Sequence, residues 1–187
     1  TDDLLPFIRN RILAPVVAEL RARGIVYKGI LYAGLMIGKS GVKVLEFNAR
    51  FGDPETQVVL PRLEGDLIPL FEACIDGTLD PAQVRVTPDP AATVVLAAEG
   101  YPGPYAKGRP IGGLEAAAAG RAVVFHAGTA LREGRVVSSG GRVLAVTATG
   151  SDLRAAVANA YAGIRAITLE GGHYRGDIAH RALQRTT

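Results

Sequence analysis

The run Val42-Lys43-Val44-Leu45-Glu46-Phe47-Asn48-Ala49-Arg50, continuing into Phe51-Gly52-Asp53-Pro54-Glu55-Thr56, constrains this chain more than any other stretch. Its first half reads as a strand, because β-branched and aromatic residues favour an extended backbone and no breaker intervenes before Gly52. Side chains alternate along a strand, so Val42, Val44, Glu46, Asn48 and Arg50 are expected on one face, about 7 Å apart per step. That face passes from aliphatic to carboxylate, carboxamide and guanidinium. Glu46 and Asn48 are hard oxygen donors, the type Mg²⁺ takes alongside substrate phosphates. Arg50 is a fixed fork of N–H groups suited to a phosphate or carboxylate. The plain alternative is a strand end turning polar as it leaves the core. Glu46 and Arg50 would then be an exposed pair worth under about 1 kcal/mol.

The preceding segment reads as a helix with an apolar stripe at Leu4, Ile8, Ile12, Val16 and Leu20, flanked by Leu13 and Val17, for packing on a sheet. Asp2 or Asp3 is its expected cap, Pro6 fits its first turn, Pro15 kinks or divides it, and Gly24 ends it. A strand is then expected over 26–37, turning at Gly38-Lys39-Ser40-Gly41 into the organising strand. Gly29 and Gly34 mark a bulge or a close approach, and Lys28 reads as a solvated strand end rather than a phosphate ligand. Beyond Gly52, Asp53 before Pro54 reads as the N-cap of a helix through about Leu60. Asp53 and Glu55 either cap that end or meet a substrate amine, and Thr56 is placed to donate to a phosphate or carboxylate.

After Pro61 a second helix is expected from Gly65-Asp66 to Asp76-Gly77, burying Leu67, Leu70, Phe71, Cys74 and Ile75, with Cys74 as core filler. Residues 78–90 hold Pro81, Pro88 and Pro90 and mark a linker. From Ala92 to Ala98 a strand is expected, then a Gly/Pro-rich loop that continues to Lys107 and Arg109. Short strands follow around Glu133-Gly134, then one from Arg142 to Thr147, and a helix capped by Ser151 with Leu153, Val157, Ala160, Tyr161 and Ile164 inside. His126, His173 and His180 lack metal-ligand spacing.

Composition narrows the function classes. Hydrophobic residues make up 48% of 187, ordinary for a globular chain, and no apolar run approaches the ~20 residues of a membrane span. The start, Thr1-Asp2-Asp3, is acidic where a secretory leader is basic. A single cysteine permits no internal disulfide and fits a reducing cytoplasm. The net charge of +3 is spread without a basic stripe, against nucleic-acid binding and in keeping with anionic phosphorylated substrates.

The strings YKGILYAGLMI and GVKVLEFNARFGDPETQ, with GYPGPYAKGRPI, HAGT, GRVLAVTATGSDLRAAVANAY and HYRGDIAHRAL, closely resemble the phosphoribosylamine–glycine ligase (glycinamide ribonucleotide synthetase) family across nearly the whole chain. The resemblance implies an α+β fold: the C-terminal half of an ATP-grasp domain, an antiparallel sheet with helices, followed by a small mixed β/α domain. The corresponding division is residues 1–80, a linker at 81–90, and 91–187. It implies Mg²⁺ or Mn²⁺ on Glu46 and Asn48, ATP as co-substrate, and glycine and 5-phosphoribosylamine as substrates in purine biosynthesis. Arg50 is expected in the catalytic role, with Arg50, Asp53, Glu55 and Thr56 toward substrates. The rest of the ATP site, including the N-terminal part of the same enzyme, is expected before Thr1, so this chain alone is not expected to turn over. The other readings are a different ATP-grasp carboxylate–amine ligase, or a non-catalytic packing module.

Overall fold

The computed structural model describes residues 4–185. In chain order its larger elements begin with helix α1 (Leu4–Ile8), a π-helical turn (Arg9–Leu13) and α2 (Ala14–Ala22). Strands β1 (Tyr32–Gly38) and β2 (Gly41–Asn48), then helices α3 (Thr56–Val59) and α4 (Leu67–Asp76), follow. Next come β3 (Ala91–Ala97), α5 (Leu114–Ala119), β4 (Ala122–His126), β5 (Thr129–Arg132) and β6 (Arg135–Ser138). The chain finishes with β7 (Arg142–Thr149), α6 (Leu153–Arg165) and α7 (His180–Arg185). By packing these form two compact units, one of residues 1–53 and 65–85, the other of 54–64 and 86–187.

In the first unit the apolar stripe of the leading helix is real. Leu4, Ile8, Ile12, Leu13, Val16 and Leu20 are the half-buried positions, whereas Val17 is exposed. The helical run continues without interruption through Pro15. The turn before it widens, with the Ala14 N–H reaching the Arg9 carbonyl. Proline lacks an N–H and crowds the carbonyl four residues back, so one wide turn relieves both. Gly24 (φ +71°) closes the helix: its N–H reaches Arg21 O at 3.0 Å and the Ile25 N–H reaches Leu20 O at 2.9 Å, a Schellman motif. The expected Asp2 or Asp3 cap lies outside the described residues.

The first strand begins at Tyr32, not at Val26. Gly29 sits at φ +125°, outside strand geometry, and the Tyr27 hydroxyl turns back to donate to Ile30 O at 2.6 Å. Lys28 is not a merely solvated end, since its Nζ donates to the Ile75 carbonyl in the last turn of α4, where the helix dipole favours a cation. The hairpin forms as expected, with Gly38 opposite Gly41 and Lys39-Ser40 as the loop. The register shifts by one residue between Gly34 and Leu35, leaving Leu45 as the extra residue of a β-bulge in β2. Asp66 caps α4, accepting from Ile68 N at 2.9 Å, and Gly77 (φ +74°) ends it. Its expected buried face is only half covered, and Phe71 and Ile75 are exposed.

Among the described residues, the buried apolar side chains all belong to the second unit. Strands β3, β7 and β4 form an antiparallel sheet in the order β3-β7-β4, and α6 packs on it. Along β3, buried Ala92, Val94 and Leu96 alternate with half-buried Thr93 and Val95, so one face is sealed and the other is open. Strand β7 is buried on both faces, with Val143, Leu144 and Val146 fully enclosed. The cap of α6 is Asp152 rather than Ser151. Its Oδ1 accepts from Ala155 N at 2.7 Å, as a carboxylate one residue nearer the first turn can. The Glu133-Gly134 turn has both residues at positive φ, +49° and +73°, the twist a two-residue hairpin needs.

Candidate functional site

Glu46 and Asn48 lie at the end of β2 on the same side of the hairpin. Asn48 Nδ2 donates to Glu46 Oε1 at 3.0 Å. Exchange of the amide N and O would set two oxygens at that spacing, about that of adjacent ligand atoms around an octahedral Mg²⁺ with ~2.1 Å bonds. Glu46 is exposed and Asn48 half-buried, so both remain accessible. Across the hairpin stands Gly34, directly opposite Glu46. A Cβ at that position would come within 3.2 Å of Glu46 Cγ, so the bare glycine backbone is the surface on which this side chain lies.

The single face expected from Val42 to Arg50 is interrupted twice. The bulge at Leu45 breaks strict alternation between Val44 and Glu46, and the strand stops at Asn48. Arg50 lies in the bend beyond, where its Nη1 donates to the carbonyl of Phe51 at 2.8 Å. The Phe51 ring in turn packs on Phe71 of α4, with centroids 6.3 Å apart.

Asp53, Pro54 and Glu55 form a turn rather than the start of a helix. Helix α3 begins at Thr56, with Glu55 at its N-cap and no side-chain cap bond there. The helix therefore begins two residues later than expected, at Thr56 rather than Pro54. With one turn of α-helix and a single 3₁₀ turn over Leu60–Arg62, the segment is too short to fix its start by capping alone. Asp53 closes the first unit, whereas Glu55 and Thr56 belong to the second, where α3 packs on β3 and β7.

The Lys107–Arg109 loop is held by structure. Gly108 N and Ser138 N exchange bonds with Ser138 O and Arg109 O at 2.6 and 2.9 Å. Arg109 Nη1 donates to Glu99 Oε2 at 2.8 Å and to Glu170 O at 2.7 Å, tying three segments together. Lys107 Nζ stands 6.0 Å from the Tyr105 ring centroid. In the C-terminal segment Arg175 pairs with Asp177 through two parallel bonds of 2.8 Å. Their mutual hydrogen bonding holds the Asp177 carboxyl below the usual carboxylate range and raises Arg175 above its ordinary value. The Tyr161 hydroxyl pins this segment by donating to Arg175 O at 2.7 Å and accepting from Ile178 N at 3.1 Å.

One feature of the second unit was not legible in the linear sequence. A groove of about 380 Å³ opens over the half-buried face of β3, walled by Tyr101, Arg142, His173 and Arg175. Ala97 is the pivot, since it pairs with Arg142 on one side and bridges His173 on the other. Among the described residues no group of three His, Cys, Asp or Glu is placed to hold a metal, and no helix is long and apolar enough to cross a membrane.

A family model described as the phosphoribosylglycinamide synthetase ATP-grasp (A) domain matches residues 1–56, and one described as the C domain of the same synthetase matches residues 91–181. A phosphoribosylamine–glycine ligase of Synechocystis sp. is 50% identical over 178 residues, covering 94% of this chain and 42% of that protein. The trifunctional purine biosynthetic protein adenosine-3 of Gallus gallus is 51% identical over 182 residues, 97% of this chain and 18% of that protein. This chain therefore spans less than half the length of these relatives. The crystal structure of phosphoribosylamine–glycine ligase from Thermotoga maritima superposes with a TM-score of 0.81 at 32% identity, over 95% of this chain and 43% of that one. Both parts of the sequence match one enzyme's domains, and about half of its residues are shared with proteins of that name, so the chain belongs to the phosphoribosylglycinamide synthetase (phosphoribosylamine–glycine ligase) family, carrying part of its ATP-grasp domain followed by its C domain.

Proposed function

We propose that this chain is the C-terminal part of an ATP-dependent carbon–nitrogen ligase that joins glycine to 5-phosphoribosylamine, giving glycinamide ribonucleotide, ADP and phosphate in cytoplasmic purine biosynthesis. The observation that carries this reading is the exposed Glu46 carboxylate beside the half-buried Asn48 carboxamide, 3.0 Å apart at a strand end. Two hard donors are too few for an all-protein cage, which suits a Mg²⁺ or Mn²⁺ ion shared with the phosphates of ATP. Such an ion would neutralise phosphate charge. Residues 1–80 serve the ATP-grasp domain, 81–90 the link and 91–187 the smaller domain. An N-terminal part of the same enzyme supplies the other ATP contacts.

In the reaction, the glycine carboxylate attacks the γ-phosphoryl group to form glycyl phosphate and ADP. The amine of phosphoribosylamine then displaces phosphate. Neither step needs a protein nucleophile, so the work of the chain is positioning and charge stabilisation. Glu46 and Asn48 would hold the cation, which would supply charge neutralisation at the phosphates, and Arg50 stabilises the acyl phosphate or the oxyanion formed on attack. Asp53, Glu55 and Thr56 face the substrates. Glu46→Ala in the full-length enzyme is expected to abolish phosphate release with glycine and phosphoribosylamine while the fold persists by circular dichroism. Turnover at the wild-type rate would discard the assignment.

A further inference from the structure

We infer that Arg62 is a positioning residue: by gripping Thr87 it fixes the orientation of the short helical run that begins behind Glu55 and Thr56. What Glu55 and Thr56 act on rests on the ligase reading, whereas the grip itself rests on geometry. Helix α3 is one turn long and passes directly into the 3₁₀ turn of Leu60–Arg62. A run this short does not hold its own shape in water, so its direction is set by what it touches. The Val58 and Val59 amides both donate to Glu55 O, at 3.0 and 2.9 Å, so Glu55 moves with the run. Packing of α3 on β3 and β7 keeps it against the sheet.

What stops the run from turning there is its far end, where Arg62 meets Thr87 twice. The Thr87 N–H donates to Arg62 O at 2.8 Å, and Arg62 Nη2 donates to Thr87 O at 2.9 Å. Two opposed bonds between one pair of residues fix rotation as well as distance. The guanidinium also stands in the last helical turn, where unpaired carbonyls favour a cation. Thr87 is a firm support, because Pro90 accepts from Gly150 N at 3.1 Å just beyond β7 and β3 starts at Ala91. Stability alone does not ask for arginine here. The guanidinium is drawn partly out of water, and its Nε is enclosed without an acceptor among the described residues. An apolar side chain of similar length would fill the same space with no polar group to satisfy. What it would lack is the directed bond to Thr87.

The test compares Arg62→Met and Arg62→Lys with the wild type in the full-length enzyme. Methionine keeps the packing and removes the donor. Misplacement of a substrate-facing group by about 1 Å can cost about a hundredfold in rate, so kcat with glycine and phosphoribosylamine is expected to fall about tenfold or more in Arg62→Met. The melting temperature, the KM for ATP and the Mn²⁺ affinity are expected to hold. Lysine can still donate to Thr87 O, so Arg62→Lys is expected to lie between the two. Hydrogen exchange of the Val58 and Val59 amides is expected to quicken in Arg62→Met, with Leu144 and Val146 unchanged. Wild-type kcat in Arg62→Met overturns the proposal, as does a lower melting temperature with kcat intact per folded molecule. Unchanged exchange at Val58 and Val59 overturns the grip. Where Arg62→Met does not fold, Arg62→Lys decides: a severalfold loss of kcat is expected, and wild-type turnover overturns the proposal. Failure of the wild type to couple glycine to phosphoribosylamine would discard the ligase reading, while the exchange measurement would still decide whether Arg62 holds the run.

Discussion

Gly34 decides where the Glu46 carboxylate can lie. Opposite a residue with a side chain, Glu46 Cγ would meet a Cβ at 3.2 Å and would have to give by a few tenths of an ångström, which disturbs its 3.0 Å contact with Asn48. Gly34→Ala therefore carries opposite signs for two properties. Alanine in a strand interior is worth about 0.5–1 kcal/mol over glycine for the fold, so the melting temperature should hold or rise. The displaced carboxylate should lower Mn²⁺ affinity by about tenfold, the lower end of what disturbed support of a metal ligand costs. Titration of Mn²⁺ by electron paramagnetic resonance reads the second effect directly. Unchanged affinity with an unchanged melting temperature would show that Glu46 does not depend on the gap beneath it. The pairing of Glu46 with Asn48 was legible from an i, i+2 spacing alone, because a strand puts such residues side by side. The role of Arg50 on that face was not, because a spacing rule cannot show where a strand ends.

At the level of elements, local signals served wherever the chain solves its own geometry and failed where a distant segment decides. The Lys39-Ser40 hairpin loop, the Glu133-Gly134 turn and the glycine stops after α2 and α4 are each set by a few adjacent residues. The start of β1 was misjudged because Val26 has strand propensity but Gly29 lies between it and the ladder. The α6 helix was found from its apolar period, yet that period gives no hint of how close it sits to the sheet. A Cβ on Gly163 would stand 2.7 Å from Ala122 Cβ and 2.9 Å from Val146 Cγ1. Helix propensity favours alanine at Gly163 by about 1 kcal/mol, whereas overpacking a closed core costs about 1–3 kcal/mol. The second term wins, because both contacts are to buried groups that cannot move aside. Gly163→Ala is expected to destabilise the protein by about 1 kcal/mol in urea unfolding. A gain in stability would mean that α6 can lift from the sheet freely.

For the whole molecule, the distribution of apolar side chains is uneven. Among the described residues, the enclosed ones, such as Leu144, Ile164, Val94 and Val146, belong to the second unit. The first unit leaves large apolar side chains in solvent on its hairpin, its helices and the segment between them, including Leu45 at 64%, Ile75 at 63% and Val26 at 81%. Sequence patterning marked such residues as inward-facing, as with Phe71 and Ile75, because periodicity records the face a residue is meant to bury and not what covers it. The same limit hid the groove: Tyr101, Arg142 and His173 are far apart along the chain and meet only through the pairing of Ala97 with two other segments. The imbalance predicts how the protein opens. Amides in elements with enclosed side chains exchange only through large-scale unfolding, whereas those in a sparsely covered hairpin open locally. In this chain alone, β7 amides at Leu144 and Val146 are expected to exchange orders of magnitude more slowly than those of Leu35 and Val44 in the hairpin. In a longer polypeptide carrying the proposed N-terminal part, the hairpin amides should slow toward the β7 rate if that part covers the first unit. Hydrogen exchange read by mass spectrometry on both forms makes the comparison. If the hairpin exchanges equally fast in the longer polypeptide, its exposed apolar faces are not the seat of that part.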